Sequence, residues 1–323
     1  MNILYVDPVV GTQNGIKYPY YNGMFQALSI EDDVTIALCQ QIPSDLDLLL
    51  ENANFDADFV IFGLGWFGHY RYFEKIKNNK KIPTAVFLFK PQNDWEAKLN
   101  FCKINDVDLI LTPVPLISEI EEETGITTKR MEYGCFTNIF RNVRQEKQHD
   151  LGFSGAMHAS NLYPKGNFEN NDIRSKIYNR VKDTDLKLFW KGNDSFDVSR
   201  IHNYQEYAAA IGQCKIWLAT LASHGDVTPR YYEVLASNTL LFCEEPSEIY
   251  FDLLQDGINC VFFKSDLSDF EEKLYYYLKN DDERNKIIDN ANKSSIKKID
   301  WRTKSSNLLK ILKLSIDSEG KDE

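Results

Sequence analysis

The chain is short of positive charge: 37 Lys and Arg stand against 48 Asp and Glu, a formal net charge of −11 over 323 residues. That balance excludes coating duplex DNA or an anionic membrane by bulk electrostatics, because neutralising phosphates takes clustered Lys and Arg. A local basic pocket remains compatible with it. Histidine is scarce at 5, and the 6 cysteines (Cys39, Cys102, Cys135, Cys214, Cys243 and Cys260) form no CxxC and no close Cys/His spacing. They read as buried thiols in a reducing compartment, neither a disulfide framework nor a zinc site. No apolar run approaches the length of a membrane span, and the amino terminus MNILYVDPVV has no basic n-region. There is no internal repeat and no low-complexity tract beyond the tail SEGKDE. A cytoplasmic protein without a transmembrane segment is the expectation.

What is present is the composition of a well-packed globular protein, 43% hydrophobic and 13% aromatic. At this length two domains are expected. Ile3–Val6, Val34–Leu38, Phe59–Gly63, Thr84–Phe89 and Leu109–Thr112 read as buried strands. They alternate with helices in MFQALS and over Leu46–Asn52, Trp95–Ile104 and Ile117–Thr124, the last stopped by Gly125. This spacing implies a parallel sheet with helices on both faces, whose ligands bind beyond the carboxyl ends of the strands. Gly11, Asn14 and Gly15 in the first such loop, His69 after the third strand and Asp94 after the fourth are the candidate ligand-binding groups. Either His69 or Asp94 could activate a hydroxyl. Gly63-x-Gly65-x-x-Gly68 fits a dinucleotide fingerprint by spacing, but it follows a late strand and encloses Trp66 and Phe67, so it reads as a loop.

Around Asn138–Asp150 the pattern breaks into charged NIFRNVRQEKQHD, read as a linker. The alternation then restarts with strands at Leu151–Ser154, Leu186–Trp190, Ile216–Thr220 and Gly257–Phe263. Helices follow over Tyr204–Gly212, from a capping box at Ser268 and Glu271, over Glu283–Ser294, and from Trp301 to Leu314. The expected organisation is an α/β chain of two doubly wound, Rossmann-like domains facing a central cleft. The first of these domains covers 1–145 and the second 146–300, and 301–323 form a returning helix and charged tail.

The stretch SHGDVTPRYYEVLASNTLLFC, Ser223–Cys243, carries the most specific signal. Thr228 suits an N-cap, Pro229 the first helical position, and Val227 could staple onto Tyr232. Arg230 and the helix start would then face Ser223, His224, Gly225 and Asp226, a combination that favours a phosphate. Glu233 lies one turn on, where a carboxylate could accept from sugar hydroxyls. The plainer alternative is a weak surface ion pair between Arg230 and Glu233.

Four pieces in order, GFSGAMHASNLYP with Arg174, LFWKG, NYQEYAAAIGQCKIWL and TPRYYEVLASNTLLFCEEP, resemble the nucleotide-binding domain of group-1 glycosyltransferases of the GT-B fold. The branch they look like is that of spore-maturation-protein glycosyltransferases. The resemblance implies transfer of a sugar from a nucleoside diphosphate sugar to a hydroxyl acceptor, with retention, without an obligatory metal or further cofactor. The acceptor would be a glycan, a lipid-linked glycan or a small molecule.

By that resemblance Glu233 holds the ribose, and Arg230 and Lys191 neutralise the departing diphosphate. Gly155, with His158 and Ser160, admits the donor, and Tyr163 and Thr228 line it. Many retaining relatives carry two glutamates with seven residues between them; the first position here is Gly225, beside Asp226. The usual glycine after the helix is Asn238, which tolerates a left-handed cap. A nucleotide-sugar epimerase or hydrolase, and a scaffold that binds without turnover, are the competing readings.

Overall fold

FVIFG, Phe59–Gly63, forms a strand in which all five residues are buried, as a central strand covered on both faces must be. A computed structural model describes residues 1–7, 19–63, 74–89, 94–141, 145–157, 169–193, 203–222 and 224–319. The chain divides into two compact units, Met1–Glu132 with Trp301–Glu323, and Tyr133–Asp300.

The first unit runs β1 (Asn2–Val6), α1 (Pro19–Leu28), β2 (Thr35–Cys39), α2 (Leu46–Ala53), β3 (Phe59–Gly63), β4 (Thr84–Phe87), α3 (Trp95–Ile104), β5 (Leu109–Thr112), α4 (Ile117–Thr124) and β6 (Thr128–Arg130). The six strands form one parallel sheet in the order β2-β1-β3-β4-β5-β6. Its direction of winding reverses between β1 and β3, the place where such sheets bind ligands. Val6, Val60, Phe62, Val86 and Ile110 supply the core on one face.

Helix ends follow the local chemistry. Asp45 caps α2, its carboxylate accepting from Leu48 N–H at 2.9 Å, and Gly125 ends α4 in the left-handed region at φ 72°. Several expected elements shift by a residue or more: the second strand runs Thr35–Cys39 rather than Val34–Leu38, and the first helix starts at Pro19. The charged residues Thr128–Arg130, too polar to read as a strand, pair with β5 as an edge strand. The fourth strand stops at Phe87 rather than Phe89.

The second unit contains α5 (Thr137–Phe140), β7 (His149–Ala156), α6 (Glu169–Val181), β8 (Leu188–Asn193), α7 (Tyr204–Gly212), β9 (Cys214–Ala219), α8 (Pro229–Leu235), β10 (Leu240–Glu244), β11 (Val261–Phe263), α9 (Phe270–Lys279), α10 (Asp281–Ser294) and α11 (Ile296–Ile299). Its sheet is again all parallel, in the order β11-β10-β9-β7-β8, and reverses between β7 and β9. The stretch 138–150, read as irregular, holds the end of α5 and the start of β7.

Other corrections are local. Gly257, expected in a strand, sits in a turn at φ 68°, and the strand begins only at Val261. The Ser268 capping box does not form: Asp269 precedes α9, and Ser268 N–H donates instead to Asp266 Oδ1 at 2.9 Å. Asn238 is not left-handed, because the cap of α8 is Ala236 in the right-handed region.

At the amino edge of this sheet the half-buried Lys147 ties its own segment to two others, its Nζ donating to Gly212 O at 2.9 Å, Asn238 O at 2.5 Å and Thr239 Oγ1 at 3.1 Å.

The last helix, α12 (Trp301–Glu319), packs on α1 in the first unit. Gly23 makes that approach possible, since a β-carbon there would lie 2.2 Å from Trp301 Nε1. Lys304 of α12 pairs with the buried Glu132 at 2.5 Å, and Arg130 reaches the same carboxylate at 3.2 Å. Five cysteines are buried, Cys39 is half-buried, and all six are free. Among the described residues no helix is long and apolar enough to cross a membrane.

Candidate functional site

At the carboxyl edge of the second unit, where β7 and β9 diverge, two guanidinium groups converge on one ring. Arg230 Cζ lies 5.4 Å from the centroid of Phe153, and Arg174 Cζ, from α6, lies 5.9 Å from it. Arg174 Nε donates to Thr220 Oγ1 at 2.6 Å, which fixes it at the exit of β9. Arg230 Nε donates to the hydroxyl of Tyr207, from α7, at 3.2 Å. Burial pushes the Tyr207 hydroxyl up to about 12, so at neutral pH it is a neutral partner that leaves the positive charge uncancelled. Gly155, at the end of β7, allows the closest approach: a β-carbon there would stand 2.9 Å from Arg230 Nη2.

The i, i+3 ion pair between Arg230 and Glu233 is absent. Glu233 is 6% exposed and makes no hydrogen bond or ion pair among the described residues. Burial raises its carboxyl to about 7, against an opposing pull from Arg230. Hydroxyl or amide donors would offset the desolvation of a carboxylate seated this way.

Between β9 and α8 the chain makes a reversing turn. Ala222 N–H donates to Asp226 O at 3.0 Å, Gly225 N–H donates to Ala222 O at 2.9 Å, and Gly225 is left-handed at φ 74°. Asp226 is buried, and His224 is half-buried with its imidazole pushed down by that burial. Thr228 takes the N-cap backbone conformation, yet its hydroxyl makes no cap bond and is buried without a partner. Helix α8 has only 7 residues, so its dipole is small and the guanidiniums of Arg230 and Arg174 supply the local positive charge.

Lys191 lies on β8 opposite Ser154, one pair before Gly155↔Gly192, and is exposed. Asp94 precedes α3 in the first unit, in the left-handed region and without a side-chain cap bond. Gly11, Asn14, Gly15, His69, His158, Ser160, Tyr163 and Ser223 lie outside the described residues.

Residues 168–310 match the family model described as "Glycosyl transferase-like". No curated protein sequence matches the chain at a significant level. Three solved structures resemble it over nearly its whole length. A glycosyltransferase from Rickettsia africae is 11% identical with a TM-score of 0.60, each chain covered to 98%. HepE of Anabaena in complex with UDP-glucose is 12% identical with a TM-score of 0.57, covering 97% of this chain and 99% of that one. Sucrose-phosphate synthase of Thermosynechococcus elongatus is 8% identical with a TM-score of 0.60, covering 98% and 100%. The fold is therefore GT-B, with two Rossmann-like domains. Together the family match and the fold support sugar transfer.

Against that fold, three site features were not read from the sequence. Tyr207 and Phe153 look like ordinary helix and strand residues, and only tertiary structure brings them to Arg230. Asp7 is 3% exposed at the end of β1, and its Oδ2 would lie 2.2 Å from a β-carbon on Gly63 at the end of β3. A charged residue directly closing an apolar run was the available signal, both there and at Glu244 in LLFCE.

Proposed function

We propose that the chain transfers a sugar from a nucleoside diphosphate sugar to a hydroxyl acceptor, retaining the anomeric configuration and needing no metal. The observation that carries this reading is the buried carboxylate of Glu233, which makes no hydrogen bond or ion pair among the described residues, set one turn from the guanidinium of Arg230. Ribose hydroxyls would satisfy the first and a diphosphate the second.

In this reading Gly155 admits the phosphates, Arg230 stabilises the charge that develops as the diphosphate leaves, and exposed Lys191 adds to it. His224, Gly225 and Asp226 line the sugar. The bond from the anomeric carbon to the diphosphate oxygen breaks while the acceptor oxygen forms its bond on the same face. The acceptor's proton passes to the departing phosphate oxygen, so no separate base is required. The first unit takes the acceptor, with Asp7 at the reversal between β1 and β3 and Asp94 as its carboxylates.

A thermal-shift screen against UDP-, GDP-, ADP-, CMP- and dTDP-linked sugars tests this, because a ligand that binds only the folded state raises the melting temperature. One of these donors raises it in the wild type, and Arg230→Ala removes the shift. Mass spectrometry then finds free nucleotide and a glycosylated acceptor. No shift with any donor would refute the reading.

A further inference from the structure

Glu244 ends β10 with its side chain 1% exposed, in a seat where an apolar residue would avoid the cost of burying charge. Its carboxylate binds two separate segments. Oε2 accepts from Leu221 N–H at 3.0 Å, at the exit of β9, and Oε1 accepts from Ser265 Oγ at 2.8 Å, in the turn after β11. Its backbone carbonyl accepts from the buried Tyr231 hydroxyl of α8 at 3.0 Å. Three segments that enclose the carboxyl edge are thus fastened to one residue.

What a carboxylate does here that an apolar side chain could not is fix the direction of the Leu221 amide. That amide is the first link of the reversing turn Ala222–Asp226, whose two backbone bonds set His224 and Asp226 before α8. Arg230 is held independently, by Tyr207 and Phe153 from α7 and β7. Arg230 and the wall facing the sugar therefore have different anchors, and of the two guanidiniums over Phe153 it is Arg174 that feels the charge of Glu244.

We infer that Glu244 is a positioning residue that sets discrimination between donor sugars: it holds the 221–226 turn, while nucleotide affinity depends on other residues. The inference rests on the nucleotide-sugar reading above and names the part of that site that would read the sugar. A glutamine at 244 keeps the shape, and the Ser265 hydroxyl can accept from its NH₂, but the Leu221 amide loses a charge-assisted hydrogen bond to a carboxylate.

The test uses Glu244→Gln and the milder Ser265→Ala, with Glu245→Gln at the exposed neighbour as control. Hydrogen exchange of the 221–226 amides is measured in the free protein. Calorimetric affinities are measured for the nucleotide sugar that stabilises the wild type and for its nucleoside diphosphate. In Glu244→Gln the turn amides exchange at least tenfold faster and nucleoside diphosphate affinity stays within about twofold. The extra affinity contributed by the sugar, and selectivity against the C4 epimer, fall roughly tenfold. Ser265→Ala shows part of the effect and Glu245→Gln none.

Unchanged exchange and an unchanged sugar increment in Glu244→Gln overturn the inference, and so does an equal loss for both ligands, which marks a general packing role. If the wild type binds no nucleotide sugar, the donor reading itself falls and this inference with it.

Discussion

The guanidinium of Arg230 fills the space that a side chain on Gly155 would need, with Nη2 2.9 Å from the place of the missing β-carbon. Because that group is the far end of a flexible chain, Gly155→Ala displaces the guanidinium first, although the methyl group also comes within 3.3 Å of Phe153 Cζ. Binding of the active nucleoside diphosphate weakens about tenfold, roughly 1.4 kcal/mol. Arg230→Ala removes a charge-assisted contact worth about 1.5–3 kcal/mol and weakens it by about 10- to 150-fold. Calorimetry measures both. Full affinity in Gly155→Ala would mean that Arg230 does not touch the nucleotide.

Glu233 makes the same site sensitive to pH. Its folded carboxyl is raised to about 7 from an ordinary 4.5, so between these values the native state holds a proton that the unfolded chain has lost. Stability from this group therefore falls as pH rises through that window, and the loss is complete above about pH 7. Glu233→Gln is more stable than wild type at pH 8, by about 1–3 kcal/mol, and loses the slope between pH 5 and 7. A bound ribose favours the carboxylate, so nucleotide binding at pH 6 releases a proton. Calorimetry in two buffers of different ionisation enthalpy detects it. A buffer-independent heat would place the carboxylate away from the ligand.

Strands such as Phe59–Gly63 and helices such as Trp95–Ile104 and Tyr204–Gly212 were legible residue for residue, because a continuous apolar run or a clear 3.6-residue period is bounded by an unambiguous stop. Thr128–Arg130 was not, since an edge strand with exposed charge has no such pattern. The site divides the same way. Arg230 and Glu233 stand out in the sequence, but whether they form a surface pair or a buried one-sided cradle depends on Tyr207, Phe153 and Gly155. These lie 23 or more positions away and meet Arg230 only when β7 and β9 are neighbours. Glu244 closes the apolar run LLFC, a visible signal, but the adjoining Glu245 makes the pair look like a solvated loop.

Lys147 is an ammonium that the fold makes expensive. Burial lowers it to about 8 from an ordinary 10.5, even with three acceptors around it. Between these values the unfolded chain holds a proton that the native state has shed, so stability from this group rises with pH across that window. At pH 7 Lys147→Met strands the carbonyls of Gly212 and Asn238 and costs about 2–4 kcal/mol. The deficit relative to wild type widens from pH 8 to 10. Nearby Cys214, whose thiol burial pushes up to about 12, is common to both proteins and drops out of the comparison. Urea midpoints across that range provide the check.

Gly23 sets two effects of opposite sign against each other. It lies inside α1, where glycine is about 1 kcal/mol worse than alanine, so helix propensity alone would have Gly23→Ala stabilise the protein. The added β-carbon, however, would fall 2.2 Å from Nε1 and 2.3 Å from Cε2 of Trp301. That ring cannot swing clear, because Trp301 is only 2% exposed beneath α1. Overpacking of this kind costs about 1–3 kcal/mol, which outweighs the propensity gain. Gly23→Ala is therefore destabilised, by urea midpoint, while Trp301→Phe loses about 1 kcal/mol or more to the smaller ring. The double variant regains part of the deficit, since the phenyl ring leaves room for the methyl group. If Gly23→Ala instead proves more stable than wild type, α12 does not rest on α1 through this residue.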